Sequence, residues 1–524
     1  MFDPSKKRFR FRMVVPAFAA FNVYSNIAAV TTALGPVYVA TAVNKMEKWD
    51  AEVIDENNLR LHGPRSITAG ADHEFIQQQR PADVVGLYGG LTSTIPRLYE
   101  LARYYKHKGV ITVSGGQHFV EENMREAFDN GIDYIVTGEG EETIKELLKA
   151  IESKQDVDQI KGIVYLRNGE MIRTPSREQL QDFDKMPMPD FSLVRYAKIN
   201  LYPVERIRGC GMDCEFCTVK GKPRAACPER LLEQIRFLVE TRDAKHFFIV
   251  DDLFGQHRDD TIKFCYQLRD YQRSIHKRLS FTAQIRLDKA KDEELLLAMR
   301  QASINAVAIG FESPIAEELE AMNKHINPED MLSLVEVYHR FGFLVHGMFI
   351  FGYPLEESVV FKMTAQERVK RYQRFIRQAR LDTIQVLIPI PLPGTQLRER
   401  LKHQNRIYPL AEVGWEYYDG NFPIFEPDAP LSAEEMQVSA RQIMSSFYQF
   451  PYFFKIGLNI LLLPGLVFFL GDIREGWRKW YRNWRNDLVR FMGWIIIKKW
   501  ISNFQHDRFF DKLQSVKGQV RCAK

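Results

Sequence analysis

The chain has 524 residues, of which 45% are apolar and 27% are charged. This balance is typical of a folded protein and excludes a disordered or collagen-like chain. The length predicts two or three domains, each able to bury its own core. Six cysteines are too few for a disulfide scaffold. The net charge of +5 is uneven: residues 474–524 carry 13 basic and 4 acidic side chains, a net of +9, which leaves −4 for the preceding residues.

The N-terminal region begins with basic residues and continues into an apolar stretch from Met13 to Phe21. A secretory signal peptide shows a similar order of charge and apolarity. Here Pro16 interrupts the stretch, Asn22 and Ser25 follow closely, and no small-residue cleavage site is evident. We interpret the stretch as a first buried strand.

Residues 1–155 alternate between short apolar runs and helical patterns. Ile95, Leu98, Leu101 and Tyr104, for example, recur at the spacing of one helix face. Strands separated by such helices indicate βαβ units and a parallel, doubly wound (Rossmann-like) α/β sheet. The predicted strands are Phe11–Pro16, Ala51–Asp55, Asp83–Tyr88, Val110–Val113 and Ile132–Thr137.

Three polar loops follow successive strands of this predicted sheet. A doubly wound sheet binds ligands beyond the carboxyl ends of its strands, and glycine lets a large ligand approach the backbone. The loops are Leu91–Thr94, Ser114–His118 and Thr137–Glu141. Each alone is typical of a plain turn, whereas the three together indicate a ligand site.

A second α/β domain is predicted over residues 200–425, after a proline-containing linker at 156–199. Its near-continuous apolar strands favour a partial (β/α) barrel of the TIM type with helices outside. The predicted strands are Phe247–Val250, Leu279–Ala283, Ala306–Phe311, Val345–Ile350 and Thr383–Ile388. Residues 426–524 are predicted to form a C-terminal helical region.

Three cysteines follow a predicted strand with the spacing Cys-x3-Cys-x2-Cys, namely Cys210, Cys214 and Cys217. A structural zinc site needs four protein ligands, and no second cysteine pair or nearby histidine completes one. Three thiolates can hold three irons of a [4Fe–4S] cluster and leave the fourth iron open, whereas ferredoxin-type carriers use four. The isolated residues Cys227, Cys265 and Cys522 are interpreted as ordinary thiols.

With this motif the sequence resembles the radical S-adenosylmethionine (SAM) enzymes. More narrowly, it is similar to the class in which a cobalamin (B12)-binding domain precedes the radical SAM domain. The resemblance covers approximately residues 10–425 and implies a B12-binding domain at 1–155 and a radical SAM domain at 200–425. In this family the open iron binds the amino and carboxylate groups of SAM, and one electron cleaves SAM to methionine and a 5′-deoxyadenosyl radical.

The resemblance implies SAM-binding positions in the second domain, mostly at strand ends. They are Phe216 near the adenine, Asp251 and Asp252 near the SAM amino group, Gln284 and Arg286 directed into the barrel, and Glu312 and Ser313 near ribose or carboxylate. Residues 347–354 and 391–395 fit later motifs of the family. Considered alone, the two aspartates are typical of a solvated loop, and their place beside the cysteine loop favours the functional interpretation.

The resemblance also implies cobalamin-binding positions in the first domain. They are Thr92, Ser93, Gly115, Gly116, His118, Gly138 and Glu139. Many B12 enzymes carry Asp-x-His-x-x-Gly in the first strand-to-helix loop, but the loop Ala17–Ser25 contains neither Asp nor His. Several members of this class also lack the motif, so cobalamin binding is still implied, with the lower cobalt ligand left open. His118 is either a contact for the nucleotide tail or a surface histidine.

The family's chemistry predicts methylation of an unactivated carbon. The resemblance implies that the deoxyadenosyl radical removes a hydrogen atom from the substrate, which then takes a methyl group from methylcobalamin. The protein positions the cofactors and excludes water. We expect the substrate pocket between the two domains, and flavodoxin or ferredoxin as the reductant.

The C-terminal region predicts contact with a membrane surface. An apolar run, Ile456–Leu470, is interrupted by Asn459 and Pro464-Gly465 and is too short for a straight membrane span. Tryptophans then alternate with Lys and Arg, a composition typical of helices in the headgroup layer. The tryptophans are Trp477, Trp480, Trp484, Trp494 and Trp500. A helical cap on the barrel is the alternative, and the apolar run disfavours nucleic-acid binding.

A membrane-docked enzyme of this class suggests a lipid or isoprenoid substrate, with a hopanoid C-3 methylase as the nearest example. An anaerobic Mg-protoporphyrin ester cyclase and a B12- or cluster-dependent sensor are the alternatives. A tRNA methylthiotransferase needs three further cysteines upstream, and no cysteine precedes Cys210. A reducing compartment is required for the cluster, which predicts the cytoplasmic face of the membrane.

Overall fold

The structure is a computed structural model that describes residues 8–22, 24–67, 69–356, 359, 361–458, 460, 473–505 and 509–514. The chain divides into two compact units. The first unit comprises Met1–Phe281, Pro391–Asn405 and Val413–Asp419. The second comprises Thr282–Ile390, Arg406–Glu412 and Gly420–Lys524.

An eight-stranded sheet forms the centre of the first unit. Its strands are β1 (Phe9–Val15), β2 (Trp49–Asp55), β3 (Val84–Tyr88), β4 (Ile111–Gly115), β5 (Tyr134–Val136), β6 (Ile163–Arg167), β7 (Glu170–Arg173) and β8 (Val194–Arg195). Their order is β7-β6-β5-β4-β3-β1-β2-β8. The six strands β5-β4-β3-β1-β2-β8 pair in parallel. β6 pairs with β5, and β7 with β6, in antiparallel orientation. The predicted doubly wound fold is confirmed, with its switch point beside β1.

Six helices connect the strands of this sheet. They are Ser25–Ala28, Leu34–Asn44, His73–Gln79, Ile95–His107, Met124–Asp129 and Gly140–Ser153. β1 is almost continuously buried, as expected for a parallel strand with both faces covered. On the helix Ile95–His107 the predicted positions Ile95, Leu98 and Leu101 are buried, but Tyr105 rather than Tyr104 completes the buried face.

The segment 156–199, predicted as a linker, contributes β6, β7 and β8 to this sheet. β7 has no buried residue, so its sequence lacks the apolar alternation by which strands are recognised. Its backbone pairs with β6 in four register positions. Backbone pairing therefore carries the sheet beyond the region that apolar patterning indicates.

The rest of the first unit contains four complete strands and three helices. The strands are β9 (Leu201–Val204), β10 (Ile207–Arg208), β11 (Arg224–Ala225) and β12 (His246–Phe254), and the helices are Pro228–Arg242, Arg258–Ser274 and Gln396–His403. β9 and β12 pair in parallel, as barrel strands do. β10 and β11 form a short antiparallel pair at the two ends of the segment that contains the three cysteines.

The boundary between the units falls within β13 (Ser280–Ile285). The second unit contains the parallel strands β14 (Ile304–Glu312), β15 (Leu344–Ile350) and β16 (Thr383–Leu387). Its helices are Glu293–Gln301, Ala316–Ala321, Pro328–Arg340, Ala365–Gln378, Leu410–Val413, Ala433–Phe447 and Ile473–Gln505. Phe311 of β14 stacks on Phe349 of β15 with ring centroids 5.6 Å apart. This ring pair belongs to the core between sheet and helices.

The described residues of the C-terminal region are mainly helical, as predicted. Most of the apolar run 456–470 lies outside the described residues, as does Cys522. The helix Ile473–Gln505 carries the tryptophan-rich sequence over 33 residues. Within the ranges given above, no helix combines the length and the apolarity needed to span a membrane.

Candidate cofactor site

The three cysteines lie on the loop between β10 and β11. Cys214 is buried, and Cys210 and Cys217 are half-buried. Gly209 adopts a positive φ of 91°, and a Cβ there would lie 2.7 Å from the carbonyl oxygen of Lys222. Only glycine allows this close approach of the two sides of the loop. The backbone N–H of Val219 donates to Cys217 Sγ at 3.3 Å.

The side chains of Asp251 and Asp252, at the end of β12, hold the backbone that leads into this loop. Asp251 Oδ1 accepts hydrogen bonds from the N–H groups of Arg206 (2.6 Å) and Ile207 (3.0 Å). Asp252 Oδ2 accepts from the N–H of Gly209 at 2.7 Å. Burial raises the pKa of Asp251 to about 6, although the two backbone hydrogen bonds act in the opposite direction.

The second oxygen of Asp251 is buried and has no hydrogen-bond partner among the described residues. A buried carboxylate oxygen without a partner is costly, and a cationic or N–H-bearing ligand would remove that cost. This oxygen therefore fits the expected contact with the SAM amino group. The backbone role of the two aspartates could not be predicted from the sequence.

A helix from much later in the chain supports the cysteine loop from another side. Thr395 accepts a hydrogen bond from Arg398 N–H and so begins the helix Gln396–His403. The N–H of Leu397 donates to the Glu215 carbonyl at 3.1 Å, and Arg400 forms an ion pair with the Glu215 carboxylate at 2.6 Å. The predicted motif at 391–395 therefore lies directly before a helix that packs against the cysteine loop.

The donor set of this loop fits a [4Fe–4S] cluster. Burial and the neighbouring thiols of Cys214 and Cys210 raise the pKa of Cys217, so the Cys217 thiol lies close to the other two. In the described ranges, no group of three His, Cys, Asp or Glu side chains is arranged so that it could hold a single metal ion. In a cluster each thiolate binds a separate iron, so the three thiols need not converge on one point.

A cavity of about 360 Å³ lies at the carboxyl ends of β1, β3, β4 and β5. Its wall includes the predicted residues Gly115, Gly116, Gly138 and Glu139, together with Gln117, Glu141, Glu205 and Arg208. Gly116 has φ of +126°, and a Cβ there would come within 2.4 Å of Gly89 backbone. The position beside the β1/β3 switch point and the backbone-lined wall fit the insertion of a slender part of a larger ligand, such as the nucleotide tail of cobalamin.

Other predicted cobalamin residues are placed differently. Thr92 and Ser93 are buried in a short helical turn after β3. His118 is buried and is not a surface histidine: its ring contacts Trp415 edge-on at 4.8 Å, and the Asn123 side-chain N–H donates to His118 Nε2 at 3.2 Å. Burial, and then the charge of Arg398, lowers the pKa of His118 to about 3, so the imidazole is neutral. The described contacts of the His118 ring are with side chains of the protein, including Asn123 and Trp415.

The loop after β1 is held by two side chains from the loop after β2. Glu56 Oε2 accepts from the Ala17 N–H at 2.9 Å, and Asn57 Oδ1 accepts from the Phe18 N–H at 2.8 Å. These bonds occupy the start of the loop in which many B12 enzymes carry the cobalt-ligating histidine. The described residues of this loop contain neither Asp nor His, as the sequence already indicated.

The second unit contains the remaining predicted SAM residues. Arg286 pairs with Asp288 at 2.8 Å, and Glu312, at a positive φ of 60°, pairs with Lys324 at 2.8 Å. Gln284 lies on β13. Phe216, by contrast, lies on the cysteine loop of the first unit, where it is half-buried.

Ser313 belongs to a buried polar network. Its hydroxyl donates to Glu318, and the Tyr372 hydroxyl lies 3.0 Å from Ser313 Oγ and 2.9 Å from Glu318 Oε2. Arg368 Nη1 completes the network 3.2 Å from Glu318 Oε1. Sequence reasoning missed Glu318, Arg368 and Tyr372, although charged residues on otherwise apolar helix faces were a usable signal.

Comparison with known protein families gives two matches. The B12 binding domain model matches residues 23–148, and the Radical SAM superfamily model matches residues 204–361. An uncharacterised methyltransferase of Pyrococcus horikoshii is 28% identical over 432 residues, which cover 80% of this chain and 88% of that protein.

Two further relatives carry different names. The anaerobic magnesium-protoporphyrin IX monomethyl ester cyclase of Rubrivivax gelatinosus is 25% identical over 446 residues, 80% of this chain and 76% of that protein. The hopanoid C-2 methylase of Rhodopseudomonas palustris is 26% identical over 235 residues, 44% of this chain and 43% of that protein. The second match thus covers less than half of either chain.

Among solved structures, the fold is similar to that of the radical S-adenosylmethionine methyltransferase TsrM from Kitasatospora setae, determined with cobalamin and a [4Fe–4S] cluster bound. The TM-score is 0.63 at 15% sequence identity, over 92% of this chain and 99% of that chain. The two matched domains, the three-cysteine loop and the cavity at the strand ends lead to one conclusion. The chain is a B12-dependent radical SAM enzyme, with a [4Fe–4S] cluster, SAM and cobalamin as its cofactors.

Proposed function

We propose that this enzyme transfers a methyl group to an unactivated carbon of a hydrophobic substrate. The observation that carries the proposal is the direct contact between the two cofactor regions within one unit. Thr218, next to Cys217, donates from its hydroxyl to Gln117 in the wall of the cavity at 2.7 Å. Cobalamin supplies a transferable methyl group when bound, and the chain's residues hold the two cofactor sites side by side.

The names of the relatives support methyl transfer without identifying the substrate. The P. horikoshii relative and TsrM are both named methyltransferases, and the partial match is named a hopanoid methylase. The cyclase of R. gelatinosus, similar over 80% of this chain, keeps oxidative ring closure on a pigment as the second candidate. A hopanoid or related isoprenoid lipid is the substrate class we favour.

Isotope-labelled SAM separates the two candidate reactions. The reconstituted enzyme, a reductant and SAM labelled as S-CD3 are incubated with a polar and an apolar lipid extract. Methyl transfer is expected to give a product in which one CD3 group replaces one hydrogen of the substrate. A new product without deuterium would contradict methyl transfer and favour the cyclase-like reaction. A reaction without SAM controls for extract chemistry.

Exposed aromatic and aliphatic side chains support contact of the C-terminal region with lipid. Phe453 is 51% exposed and Phe454 is 59% exposed, and Leu458 and Ile460 are also exposed. On the helix Ile473–Gln505, Met492 and Ile495 are exposed as well. With the net charge of +9 in residues 474–524, this surface is suited to an anionic headgroup layer. We propose peripheral attachment at the cytoplasmic face, with flavodoxin or ferredoxin as the electron donor.

Sedimentation with liposomes tests the attachment. Phe453→Ser with Phe454→Ser is expected to lower co-sedimentation with anionic liposomes about tenfold, because two exposed aromatic rings no longer enter the interface. Phe237→Ser is the matched control, since Phe237 is exposed on a helix of the first unit. Wild-type protein that does not sediment, or a double variant that sediments as well as wild type, would contradict the proposed attachment.

A further inference from the structure

Both ends of the cysteine loop carry an arginine that contacts the B12-binding domain. Arg208 and Arg224 face each other in the β10–β11 pair, two residues before Cys210 and seven after Cys217. Both guanidinium groups lie over the Phe183 ring, at 5.1 and 5.2 Å from its centroid. Both ends of the loop are therefore held against the same aromatic ring.

One carboxylate accepts hydrogen bonds from both arginines. Glu139 lies directly before the helix Gly140–Ser153. Its carboxylate accepts from Arg208 Nη1 at 3.2 Å, and from Arg224 Nη1 and Nη2 at 3.0 and 3.1 Å. Arg208 also pairs with Glu141 at 2.9 Å and with Glu205 at 2.8 Å. Glu139, Glu141, Glu205 and Arg208 all line the cavity.

The ion pairs between Glu139 and the two arginines are partly buried, unlike those of a solvent-exposed surface pair. The side chains of Glu139, Arg208 and Arg224 are 20%, 17% and 13% exposed. Burial raises the pKa of Glu139, but the bonds from Arg224 and Leu180 and the charge of Arg208 outweigh burial and leave the pKa lowered. Glu139 is therefore ionised at neutral pH. A bidentate, partly buried Arg–carboxylate pair fixes geometry as well as charge.

A second contact joins the same two regions at the far side of the loop. The hydroxyl of Thr218 donates to Gln117, which lines the cavity beyond β4. The loop that holds the three thiols is therefore joined to the cavity wall at two places, through Arg208, which lines the cavity, and through the contact of Thr218 with Gln117. A ligand that orders the cavity wall also orders the loop, and the converse follows.

We propose that Glu139 is a positioning residue that couples the two cofactor sites, so that cobalamin in the cavity and the cluster on the cysteine loop each strengthen the binding of the other. Coupling between two sites is reciprocal: the factor by which one ligand improves the affinity of the second equals the converse factor. The inference goes beyond methyl transfer, because it concerns the assembly of the enzyme and holds for any substrate.

Binding of hydroxocobalamin to the full chain tests the coupling without any activity assay. Its Kd is measured with the cluster reconstituted from iron and sulfide, and again after the iron has been removed by a chelator. The wild-type Kd is expected to be about 5- to 150-fold tighter with the cluster. In Glu139→Gln the ratio is expected to fall several-fold, because the neutral amide no longer holds both guanidinium groups, while the contacts of Arg208 with Glu141 and of Thr218 with Gln117 remain. Hydroxocobalamin is expected to slow the release of iron from the wild-type protein to a chelator. The same slowing should be smaller in Glu139→Gln.

Glu146→Gln is the matched control, because Glu146 lies on the same helix and pairs with Arg177 away from the arginines of the loop. It is expected to keep the wild-type ratio. A wild-type ratio of about 1, or a Glu139→Gln ratio equal to wild type, would overturn the proposal. If Glu139→Gln does not fold by circular dichroism, Arg224→Lys decides, because a lysine keeps the charge but cannot reproduce the pairing of two Arg224 nitrogens with Glu139. An unchanged ratio in that variant would overturn the coupling, and a reduced ratio would support it.

Discussion

Replacement of Cys210, Cys214 and Cys217 together by alanine is expected to abolish the release of 5′-deoxyadenosine from SAM under reducing conditions. The loss should exceed about 10³-fold, because the cofactor carries the difficult chemistry and no other cysteine lies on this loop. The fold should survive, since Cys210 and Cys217 are only half-buried. Liquid chromatography of deoxyadenosine gives the first readout, and the visible absorption of the reconstituted protein gives the second.

Cys227→Ala is the matched control, because Cys227 is also half-buried but begins the helix Pro228–Arg242 outside the loop. It is expected to retain both the absorption and the deoxyadenosine. Undiminished deoxyadenosine in the triple variant would contradict the assignment of the loop. A wild-type protein that binds the cluster and SAM without cleaving SAM would instead favour the sensor alternative.

Replacement of Glu318 by leucine is expected to lower the free energy of unfolding by about 3–5 kcal/mol. Glu318 and Arg368 are both almost completely inaccessible, so the variant leaves a guanidinium charge in a dry interior without its carboxylate. Ser313 and Tyr372 lose the same acceptor. Urea unfolding followed by circular dichroism measures the change.

The neighbouring substitution Glu317→Leu separates burial from charge. Glu317 is exposed, so the variant is expected to change the unfolding free energy by no more than about 0.5 kcal/mol. The double variant Glu318→Leu with Arg368→Met should recover most of the loss, because neither charge then remains buried. A cost below about 1 kcal/mol for Glu318→Leu would show that the network does not stabilise the second unit.

Features of the site encoded within a few residues were predictable from the sequence. The cysteine spacing lies within eight residues, and the glycine loops follow directly on apolar strands. Both are local patterns, and the loops at the ends of β4 and β5 do line the cavity. The parallel order of the first sheet was predictable for the same reason, since apolar runs alternate with amphipathic helices.

Features that depend on distant parts of the chain were not predictable. Asp251 meets the backbone of Arg206 and Ile207 across more than 40 residues, and His118 is buried by Trp415 from almost 300 residues later. No local pattern encodes such pairings, so the aspartates were assigned only to SAM and His118 was left as either a ligand contact or a surface residue. Contacts between distant parts of the chain determine the roles of the aspartates and of His118.

The first unit is completed only by the segments Pro391–Asn405 and Val413–Asp419, and this has a consequence for synthesis on the ribosome. Trp415 binds Glu126 through its indole N–H at 3.1 Å, and Arg398 pairs with Glu122. At elongation rates of about 5–20 residues per second, these partners follow Phe281 by roughly 6–27 s. Until then, the nascent chain exposes the surfaces that they cover. A fragment ending at Phe281 should therefore bind chaperones and aggregate, and the B12-binding half should fold only as part of the whole chain.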